Sequence, residues 1–415
     1  MLTVLTVREA QRRIINSLKG KLTEIETISV EKSLGRAVAK DVIAPYMLPP
    51  FARSTMDGFA VRAADTFGAS DSIPALLKLK GNILMGQEPP GSLEPGEAME
   101  IPTGGMIPAG GDSVVMLEHC EIIGDQVAVY RPAAPFDNTI QVGDDFKKGE
   151  LVIPSGRSIR SQDIGILSSM GVLQLKVYSR PRVVIFSTGD EIIPPWMEPK
   201  PGQIRDINGS ALAALTEESG GIPDYRGIIK DDKITLHQAV LEALDEADIV
   251  LISGGSSVGT RDVAVKVIDE LPGGGVFFHG VSMKPGKPLI YGTSDSIPIF
   301  GLSGNPVSAL FSFLLFVRPA LRVMQGLSPF PPFVPYVEAR LDTNLSSPGG
   351  REDYIRVSLY EGSNSGKEGD NNIRARPIFG GAGLLSTMVK GDGYFIIPRD
   401  TEGLPEGEKV KVYIY

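Results

Sequence analysis

The sequence has little of what several functional classes require. Its 415 residues contain one cysteine, Cys120, which excludes an internal disulfide and a cysteine-cluster metal site. The three histidines, His119, His237 and His279, are far apart and lack the spacing of zinc ligands. With 41 Lys and Arg against 50 Asp and Glu, the net charge of −9 lacks the positive surplus typical of proteins that bind nucleic acids or membrane surfaces.

Long hydrophobic runs are missing as well. No uncharged apolar stretch reaches the roughly 18 residues of a membrane-spanning helix. Arg8, Glu9, Arg12 and Arg13 interrupt the first apolar stretch too early for a secretory leader. These features predict a cytoplasmic protein without a membrane or nucleic-acid partner.

What the sequence does contain indicates several domains. A chain of this length exceeds a single hydrophobic core, and its 48 glycines and 32 prolines indicate many turns and much β structure. We predict a multidomain α/β plus β fold with a central doubly wound α/β domain. The expected parts are a discontinuous helical and extended domain (1–43 and 138–179), a mostly β inserted domain (44–137), the α/β domain (180–326) and a C-terminal β domain (327–415).

Local patterns support this layout. Thr6 and Glu9 form a capping-box signature, which predicts a helix at the N-terminus. In the α/β part, strands alternate with helices, and Asn208 is the expected N-cap of one helix. Parallel strands joined by crossover helices bind ligands beyond the carboxyl ends of the strands. The proline-rich segment 328–335 predicts a stiff linker to the last domain.

Three loops follow predicted strands of the α/β domain, at Ser187–Glu191, Ser253–Asp262 and Leu302–Ser308. Their glycines allow a phosphate to approach the backbone, and their hydroxyl and amide groups can donate hydrogen bonds to it. Any one such loop is an ordinary turn in about half of cases, but three on one edge favour a ligand site. The sequence lacks the Gly-Lys-Ser/Thr ending of a P-loop and the Gly-x-Gly-x-x-Gly of a dinucleotide fold, which argues against an NTPase or a dehydrogenase.

Charged residues near these loops extend the site. Lys284 and Lys287 flank a rigid turn and could form a local cationic pocket for an oxyanion, although a solvated turn explains them equally well. The carboxylates of Asp190, Glu191, Asp231 and Asp262 could reach a shared Mg²⁺. An acid such as Asp262 in a first helical turn, or Asp231 in a turn, also has a purely structural explanation.

Seven short motifs, taken in order, resemble the molybdopterin molybdenumtransferases of the MoeA family, to which the gephyrin E-domain is related. The motifs are Met56–Val61, Pro102–Asp112, Gly143–Asp145, Ser187–Glu191, Ser253–Asp262, Lys284–Pro288 and Leu302–Pro306. The chain departs from the family in having Pro102 and Gly105 around Thr103, and Asp144 before Asp145. The resemblance implies a MogA-like molybdopterin-binding α/β domain and a small C-terminal β-barrel.

The resemblance also implies a reaction. Molybdate would be inserted into adenylylated molybdopterin with release of AMP, in the presence of Mg²⁺. The enzyme would be a homodimer in which the partner subunit completes the cleft, and the adenylyltransferase would be a further partner. The implied catalytic residues are Asp57, Thr103, Asp145, Glu191 and Asp262, with Glu191 and Asp262 as Mg²⁺ ligands. The implied substrate-binding residues are Ser187, Gly189, Asp190, Asp231, Ser253, Gly254, Gly255, Ser257, Gly259, Lys284, Lys287, Ser303, Gly304, Asn305, Arg351 and Ser386.

Two other functions stay open at this point. A molybdopterin adenylyltransferase shares the α/β core, but the flanking β domains argue against it. A gephyrin-like dimeric scaffold is the alternative from a different class, and gephyrin has a fused second enzyme domain and a long linker that this sequence lacks. The sequence does not discriminate between molybdate and tungstate.

Overall fold

A computed structural model of the chain describes residues 4–254, 258–362 and 372–415, with side chains in the second range described from residue 263 onward. The part up to residue 180 contains short strands and two helices. Short 3-10 helices lie at Val30–Lys32, Ala63–Thr66 and Leu117–His119. The regular elements are α1 (Val7–Ser17), β1 (Ile25–Ser29), β2 (Val42–Ile43), β3 (Arg53–Ser54), β4 (Gly58–Val61), β5 (Ala75–Asn82), β6 (Glu97–Ile101), β7 (Ser113–Met116), β8 (Cys120–Ile123), β9 (Gln126–Val129), β10 (Thr139–Ile140), β11 (Leu151–Ile153), α2 (Ser161–Ser169) and β12 (Gln174–Tyr178).

Six of these strands form one sheet in the order β7-β4-β6-β5-β9-β8. The apolar runs in β4, β5, β7 and β9 identify these strands in the sequence, whereas β6 and β8 are not evident from it. Strand β6 reads Glu-Ala-Met-Glu-Ile, which has weak strand propensity, and its burial in the middle of the sheet determines its conformation. The pairs β1–β12, β2–β11 and β3–β10 join residues before this sheet to residues after it.

The N-terminal helix starts at the expected capping box. Thr6 Oγ1 accepts the amide of Glu9 at 3.2 Å, and Glu9 Oε2 accepts the amide of Thr6 at 2.9 Å. Its apolar side chains, among them Ile14 and Leu18, pack into the core of the α/β region. Strand β1 ends before residue 30, and Val30–Lys32 is helical.

The α/β region carries the second six-stranded sheet and its flanking helices. A π-helix, Phe313–Val317, joins the last two helices. The elements are β13 (Arg182–Thr188), β14 (Ile192–Ile193), β15 (Ile204–Arg205), α3 (Asn208–Glu218), β16 (Ile222–Ile229), α4 (Lys233–Leu244), β17 (Ile249–Gly254), α5 (Val258–Glu270), β18 (Gly275–His279), β19 (Met283–Lys284), β20 (Ile290–Ser294), β21 (Ile297–Leu302), α6 (Pro306–Ser312) and α7 (Arg318–Met324).

The sheet order is β16-β13-β17-β21-β20-β18, and the first four strands are parallel. Strand β20 runs antiparallel to β21 through a two-residue turn, Asp295 and Ser296, whose φ angles of 43° and 76° match a type I′ hairpin. The sequence predicts parallel strands with crossover helices, and this prediction is correct for the four strands that carry the loops of interest. The hairpin was not predicted because neither turn residue is a glycine.

Alternate strand residues face two different helical layers. Val183, Leu251 and Phe300 lie in a cluster with helices α1, α3, α6 and α7, whereas Val184 and Val250 lie in a cluster with α4 and α5. A sheet buried on both faces explains why β13 and β17 are nearly continuous apolar runs. It also holds the carboxyl ends of these strands in fixed positions.

The segment Pro306–Met324 is long and apolar enough to cross a membrane by composition alone, but 67% of its apolar window is buried inside the protein. This segment contributes Phe311, Phe313 and Phe316 to the core beside the sheet. Its apolar character therefore has a structural explanation in the packing of the α/β region.

The last region is a β-barrel with short accessory elements. Strands β24, β25, β22, β28 and β26 are joined in that order, and a further pairing of β24 with β26 closes the barrel. Strand β19 of the α/β region pairs with β24, so that Lys284 stands opposite Asp353. The elements are β22 (Tyr336–Leu341), β23 (Leu345–Ser346), β24 (Glu352–Glu361), β25 (Ile373–Pro377), α8 (Ser386–Val389), β26 (Gly393–Ile397), β27 (Gly403–Leu404) and β28 (Lys409–Ile414).

Candidate functional site

The three predicted loops begin at one edge of the α/β sheet. Ser187 of β13 lies opposite Ser253 of β17, and Ser253 pairs with Leu302 of β21. Gly254 has a φ of 144°, and a Cβ there would lie 2.0 Å from the carbonyl oxygen of Thr188. Only glycine allows two strands to approach this closely where they end. The described ends of these loops therefore lie side by side at this edge of the sheet, and we call the surface that they form the strand-end crevice.

A buried carboxylate lies beside the first loop. Asp206 Oδ2 accepts the hydroxyl of Ser187 at 2.8 Å and also that of Tyr225, while its Oδ1 accepts the amide of Gly209 at 3.2 Å. Burial and the neighbouring Asp206 raise the pKa of Tyr225 above its ordinary value. Because the Ser187 proton is donated to Asp206, this hydroxyl is not available as a donor to a ligand in this arrangement.

Asn208 connects the other two loops. Its Nδ2 donates to Ser253 Oγ at 2.8 Å and to the carbonyl oxygen of Gly304 at 3.0 Å. The sequence predicts Asn208 as the N-cap of α3, and this prediction is wrong: Asn208 is the first residue of the helix and its side chain makes no cap bond. Asp206 instead accepts the amide of Gly209 in the first turn.

Carboxylates collect where β13 and β16 end. Burial raises the pKa of Asp231, and the negative charges of Asp190 and Glu191 raise it further, whereas a hydrogen bond with Thr188 acts in the opposite direction. A carboxylate whose ionised form is disfavoured by burial and by nearby negative charges is one that a bound cation would stabilise. The adjacent Asp232 is the N-cap of α4 and accepts the amide of Thr235 at 2.9 Å, so this acid has a structural role.

Several predicted residues of the middle loop are not described. Gly255 and Ser257 lie outside the described residues, as does the side chain of Asp262, and Gly259 is described only as part of helix α5. Within the described ranges, no three His, Cys, Asp or Glu side chains are grouped so that they could hold a metal ion. The assignment of Mg²⁺ to Glu191 and Asp262 thus stays a prediction.

The third loop touches the barrel. The amide of Val307 donates to the carbonyl oxygen of Ala382 at 3.1 Å, and the side-chain oxygen of Asn305 lies against Gly383. Ser303 Oγ accepts the amide of Asn305 at 3.2 Å, which holds the loop in a tight turn. The strand-end crevice therefore borders the barrel loop 380–383.

Among the cavities lined by the described residues, Lys284 and Lys287 lie in two different ones, whereas the sequence suggested one shared pocket. Strand β19 ends at Lys284, and Gly286, with a φ of 105°, lies in the turn between Lys284 and Lys287. Lys284 Nζ lies 3.9 Å from Asp353 Oδ2. The Nε of Arg351 lies 3.3 Å from the other oxygen, Oδ1, of this buried carboxylate.

The first cavity, of about 240 Å³, is here called the Lys284 pocket. Arg356 is 8% exposed there and donates to the carbonyl oxygen of Gly380 at 3.1 Å, while its Nε has no partner among the described residues. A buried guanidinium without a carboxylate partner favours an anionic ligand. The lining residues are Lys284, Pro285, Leu345, Ser346, Asp353, Tyr354, Ile355, Arg356, Ile378, Phe379, Gly380, Gly381 and Ala382.

The second cavity, of about 370 Å³, contains Lys287 together with Arg351 and Arg399. Arg351 therefore lies in the same cavity as Lys287 rather than with Lys284. Ser386 begins the short helix α8 and is exposed, and it lines neither cavity.

Asp57 and Thr103 meet in the inserted sheet. Gly58 pairs with Ile101, which brings the residues beyond these strand ends together. Asp57 Oδ1 accepts both the amide of Thr103 at 2.7 Å and its hydroxyl at 3.0 Å. These bonds, led by the backbone amide, lower the pKa of Asp57 and keep it ionised.

Asp145 follows the left-handed Gly143, with a φ of 81°, and its amide donates to the carbonyl oxygen of Leu48 at 2.9 Å. Among the described residues, no hydrogen bond or ion pair connects Asp57, Thr103 or Asp145 to the strand-end crevice. The predicted residues thus fall into two groups within one chain.

Comparisons with known proteins cover both groups. A model of the MoeA N-terminal region (domains I and II) matches residues 5–171, a model of a probable molybdopterin binding domain matches 184–323, and a model of the MoeA C-terminal region (domain IV) matches 338–415. The molybdopterin molybdenumtransferase of Haemophilus influenzae is 30% identical over 99% of this chain and 98% of its own. The chain belongs to the MoeA family.

Further relatives agree with this assignment. The molybdopterin molybdenumtransferase of a Nostoc species is 36% identical over 81% of this chain and 78% of its own. The crystal structure of the molybdopterin biosynthesis MoeA protein from Pyrococcus horikoshii OT3 covers 100% of both chains with a TM-score of 0.85 and 32% identity. This MoeA-family chain is accordingly a transferase of molybdenum cofactor biosynthesis, and the comparisons do not favour the adenylyltransferase or scaffold alternatives.

Three residues that the structure places at the candidate site were not identified from the sequence: Asp206, Asn208 and Arg356. Asp206 and Asn208 were not recognised because an acid or an amide at the start of a helix is normally interpreted as an N-cap residue. Arg356 lies in a strand of alternating apolar and polar residues, where a cation usually faces solvent. Arg356 stands two residues after Tyr354, on a strand that also carries the buried Asp353. This position is the feature of the sequence that could have indicated a buried Arg356.

Proposed function

We propose that the chain inserts molybdate into adenylylated molybdopterin with release of AMP, acting as a homodimer with Mg²⁺. The observation that carries this proposal is the contact of the strand-end crevice with the Lys284 pocket through Val307 and Ala382. A crevice suited to a phosphate-bearing ligand and a cationic pocket suited to an oxyanion lie side by side. The reaction requires these two ligands to meet.

On the adenylate side, we assign binding to the loops after β13, β17 and β21. Glycine backbones at Gly189 and Gly254 allow a close approach of the phosphates, and the N-terminus of α6 adds a positive dipole end. The predicted residues of this side are Ser187, Gly189, Asp190, Glu191, Asp231, Ser253, Gly254, Gly255, Ser257, Gly259, Asp262, Ser303, Gly304 and Asn305. Their work is to hold the phosphoanhydride in place while AMP leaves.

On the oxyanion side, we assign Lys284 and Arg356 as the cations that bind molybdate. Lys287 and Arg351 lie in the neighbouring cavity and contribute positive potential there. Asp353 lies between the two cavities and limits their net charge. Ser386, which the family resemblance implied as a substrate-binding residue, lines neither of these two cavities. Tungstate, which has the same charge and a similar size, fits the same groups.

The fit of Mg²⁺ rests on the acids after β13 and β16. Burial is the main cause of the raised pKa of Asp231, and the negative charges of Asp190 and Glu191 add to it. Carboxylate oxygens are suitable ligands for a hard divalent cation, which would neutralise charge on the phosphates when bound. We assign this role to Glu191 with Asp262, and Asp231 beside them.

The separation of Asp57 and Thr103 from the strand-end crevice supports the proposed dimer. Asp57 and Thr103 are bonded to each other, exposed and unconnected to the crevice among the described residues. A second copy of the chain could bring its Asp57, Thr103 and Asp145 to the crevice of the first. A cytoplasmic location and a transient contact with the adenylyltransferase that supplies the substrate complete the proposal.

The test is an assay of AMP release. Purified protein is given adenylylated molybdopterin and Mg²⁺, and AMP is quantified with and without molybdate. We expect release only when molybdate is present, and tungstate in a parallel reaction measures oxyanion preference. AMP release that does not change on adding either oxyanion would contradict the proposal.

A further inference from the structure

Asn208 is almost fully enclosed by the loops of the strand-end crevice. It is 6% exposed, and its amide nitrogen bonds Ser253 Oγ and the carbonyl oxygen of Gly304 at 2.8 and 3.0 Å. The side-chain oxygen, Oδ1, has no hydrogen-bond partner among the described residues. A primary amide has two N–H donors, so both are engaged by the two loops.

The bond from Asn208 determines what Ser253 can do. A hydroxyl has one proton and can accept as well as donate. Since Ser253 Oγ accepts from Asn208, its own proton remains available, and among the described residues no acceptor takes it. Ser253 itself is buried. A buried O–H with no protein acceptor is suited to a ligand oxygen.

Ser187 stands opposite Ser253 on the neighbouring strand, and its hydroxyl donates a hydrogen bond where that of Ser253 accepts one. Its proton goes to the carboxylate of Asp206, so it faces the ligand as an acceptor at most. The contrast between two serines that stand opposite each other in the sheet comes from two residues at the start of α3. Asp206 takes over the helix-cap bond to Gly209, and this leaves the Asn208 side chain for the loops.

We infer that Asn208 is a positioning residue, which orients the Ser253 hydroxyl as a hydrogen-bond donor to a phosphate oxygen of the adenylate. This inference rests on the proposed function, because it requires an adenylate in the strand-end crevice. Beyond that function, Asn208 acts on the ligand through Ser253.

The test is a double-mutant cycle on AMP affinity, measured by isothermal titration calorimetry with the full chain. A hydrogen bond to a charged group corresponds to about a tenfold change in affinity or somewhat more. We expect Ser253→Ala and Asn208→Ala each to raise the Kd for AMP about tenfold, and the double variant to raise it no further. A merely structural role of Asn208 would give additive losses.

Two further variants separate positioning from folding. Thr216→Val removes a buried hydroxyl of the same helix that bonds only the helix backbone, at Leu212, and is expected to leave the Kd unchanged. Asn208→Asp keeps the shape but offers an acceptor that captures the Ser253 proton, so it should weaken AMP binding more than Asn208→Ala. Thermal melting of each variant checks that the fold is intact.

The results separate this inference from the proposed function. Wild-type affinity in Asn208→Ala, or additive losses in the cycle, would overturn the inference while the molybdate-dependent AMP release of the wild type still supports the function. A wild type that binds AMP with the expected cycle, but releases no AMP from the substrate, would support the role of Asn208 and overturn the proposed reaction. Absence of AMP binding in the wild type would overturn the role of Asn208, while the proposed reaction is decided by the AMP-release assay alone.

Discussion

Replacing Arg356 by Gln is expected to raise the KM for molybdate more than replacing Lys284 by Gln. Both side chains line the Lys284 pocket, but their surroundings differ. The guanidinium of Arg356 is buried, and its Nε lacks a partner among the described residues. The Lys284 side chain is 57% exposed and lies near the carboxylate of Asp353. Water and Asp353 therefore screen Lys284, while little screens Arg356.

The difference in burial sets the magnitudes. A hydrogen bond between charged groups contributes roughly 1.5 to 3 kcal/mol, so loss of Arg356 should raise the KM about 50-fold. An exposed charge pair contributes about 1 kcal/mol or less, so loss of Lys284 should raise the KM about fivefold. Arg356→Lys keeps the charge but loses the planar fork that bonds Gly380, and an intermediate effect is expected.

The assay is AMP release over a molybdate titration at saturating adenylylated molybdopterin. Matched controls lie on the same barrel away from the pocket. Arg376→Gln removes a guanidinium that pairs with Asp342, and Lys411→Gln removes an ammonium that stacks on Tyr336. Both should leave the KM for molybdate at the wild-type value. Melting curves show whether Arg356→Gln has lost stability.

The order of the two effects is the critical result. A larger KM increase for Lys284→Gln than for Arg356→Gln would refute the reasoning from burial. An unchanged KM in both variants would show that molybdate binds elsewhere. In that case the cavity containing Lys287 and Arg351 is the next candidate.

Three other predictions address the acids and the dimer. Burial and the charges of Asp190 and Glu191 raise the pKa of Asp231, so its ionised form destabilises the fold as pH rises through that pKa. Asp231→Asn should therefore raise the melting temperature at pH 8 by a few degrees, which corresponds to roughly 1 kcal/mol or less. The variant should also gain less stability from added Mg²⁺. A lower melting temperature for this variant would contradict the assigned charge repulsion. Thr103→Val removes one of the two hydrogen bonds that lower the pKa of Asp57, so the acid limb of the pH profile of AMP release should move to higher pH. If the acid limb stays at the same pH, Asp57 does not control it. Mixing Asp57→Ala dimers with Arg356→Gln dimers, at a molybdate concentration far below the raised KM of Arg356→Gln, should restore about a quarter of wild-type activity after subunit exchange, because hybrid dimers contain one intact site. No recovery, with exchange verified by mass spectrometry, would indicate a site within one chain.

The sequence predicts the backbone of the site better than its side-chain bonds. Strand ends at Thr188, Gly254 and Leu302 follow from apolar runs that stop at glycine and hydroxyl residues, and parallel pairing then brings the loops together. Asn208 was misassigned because the local cap signal is real, but Asp206, two residues earlier, supplies that bond. Such competition between two neighbouring polar residues depends on tertiary packing and is not encoded in spacing.

The pocket residues illustrate a second limit. Lys284 and Lys287 are three residues apart, and a motif that contains both suggests one shared role. The turn between them separates the side chains into two cavities, because strand β19 pairs with a strand of the barrel before the chain reverses. Arg356 enters the first cavity from that same barrel strand. No pattern within either segment could indicate a pairing between parts of the chain about 70 residues apart in sequence.

This strand pairing links the geometry of the two ligand sites. Since Lys284 is hydrogen-bonded into the barrel through β19 and β24, the oxyanion pocket moves with the barrel. The strand-end crevice belongs to the α/β sheet, and its contact with the barrel is the bond from Val307 to Ala382. The distance between an adenylate in the crevice and an oxyanion in the pocket is thus set by how the barrel docks on the sheet. Catalysis by positioning requires that this docking be rigid, and the buried Asp353, between Lys284 and Arg351, strengthens it at the shared boundary.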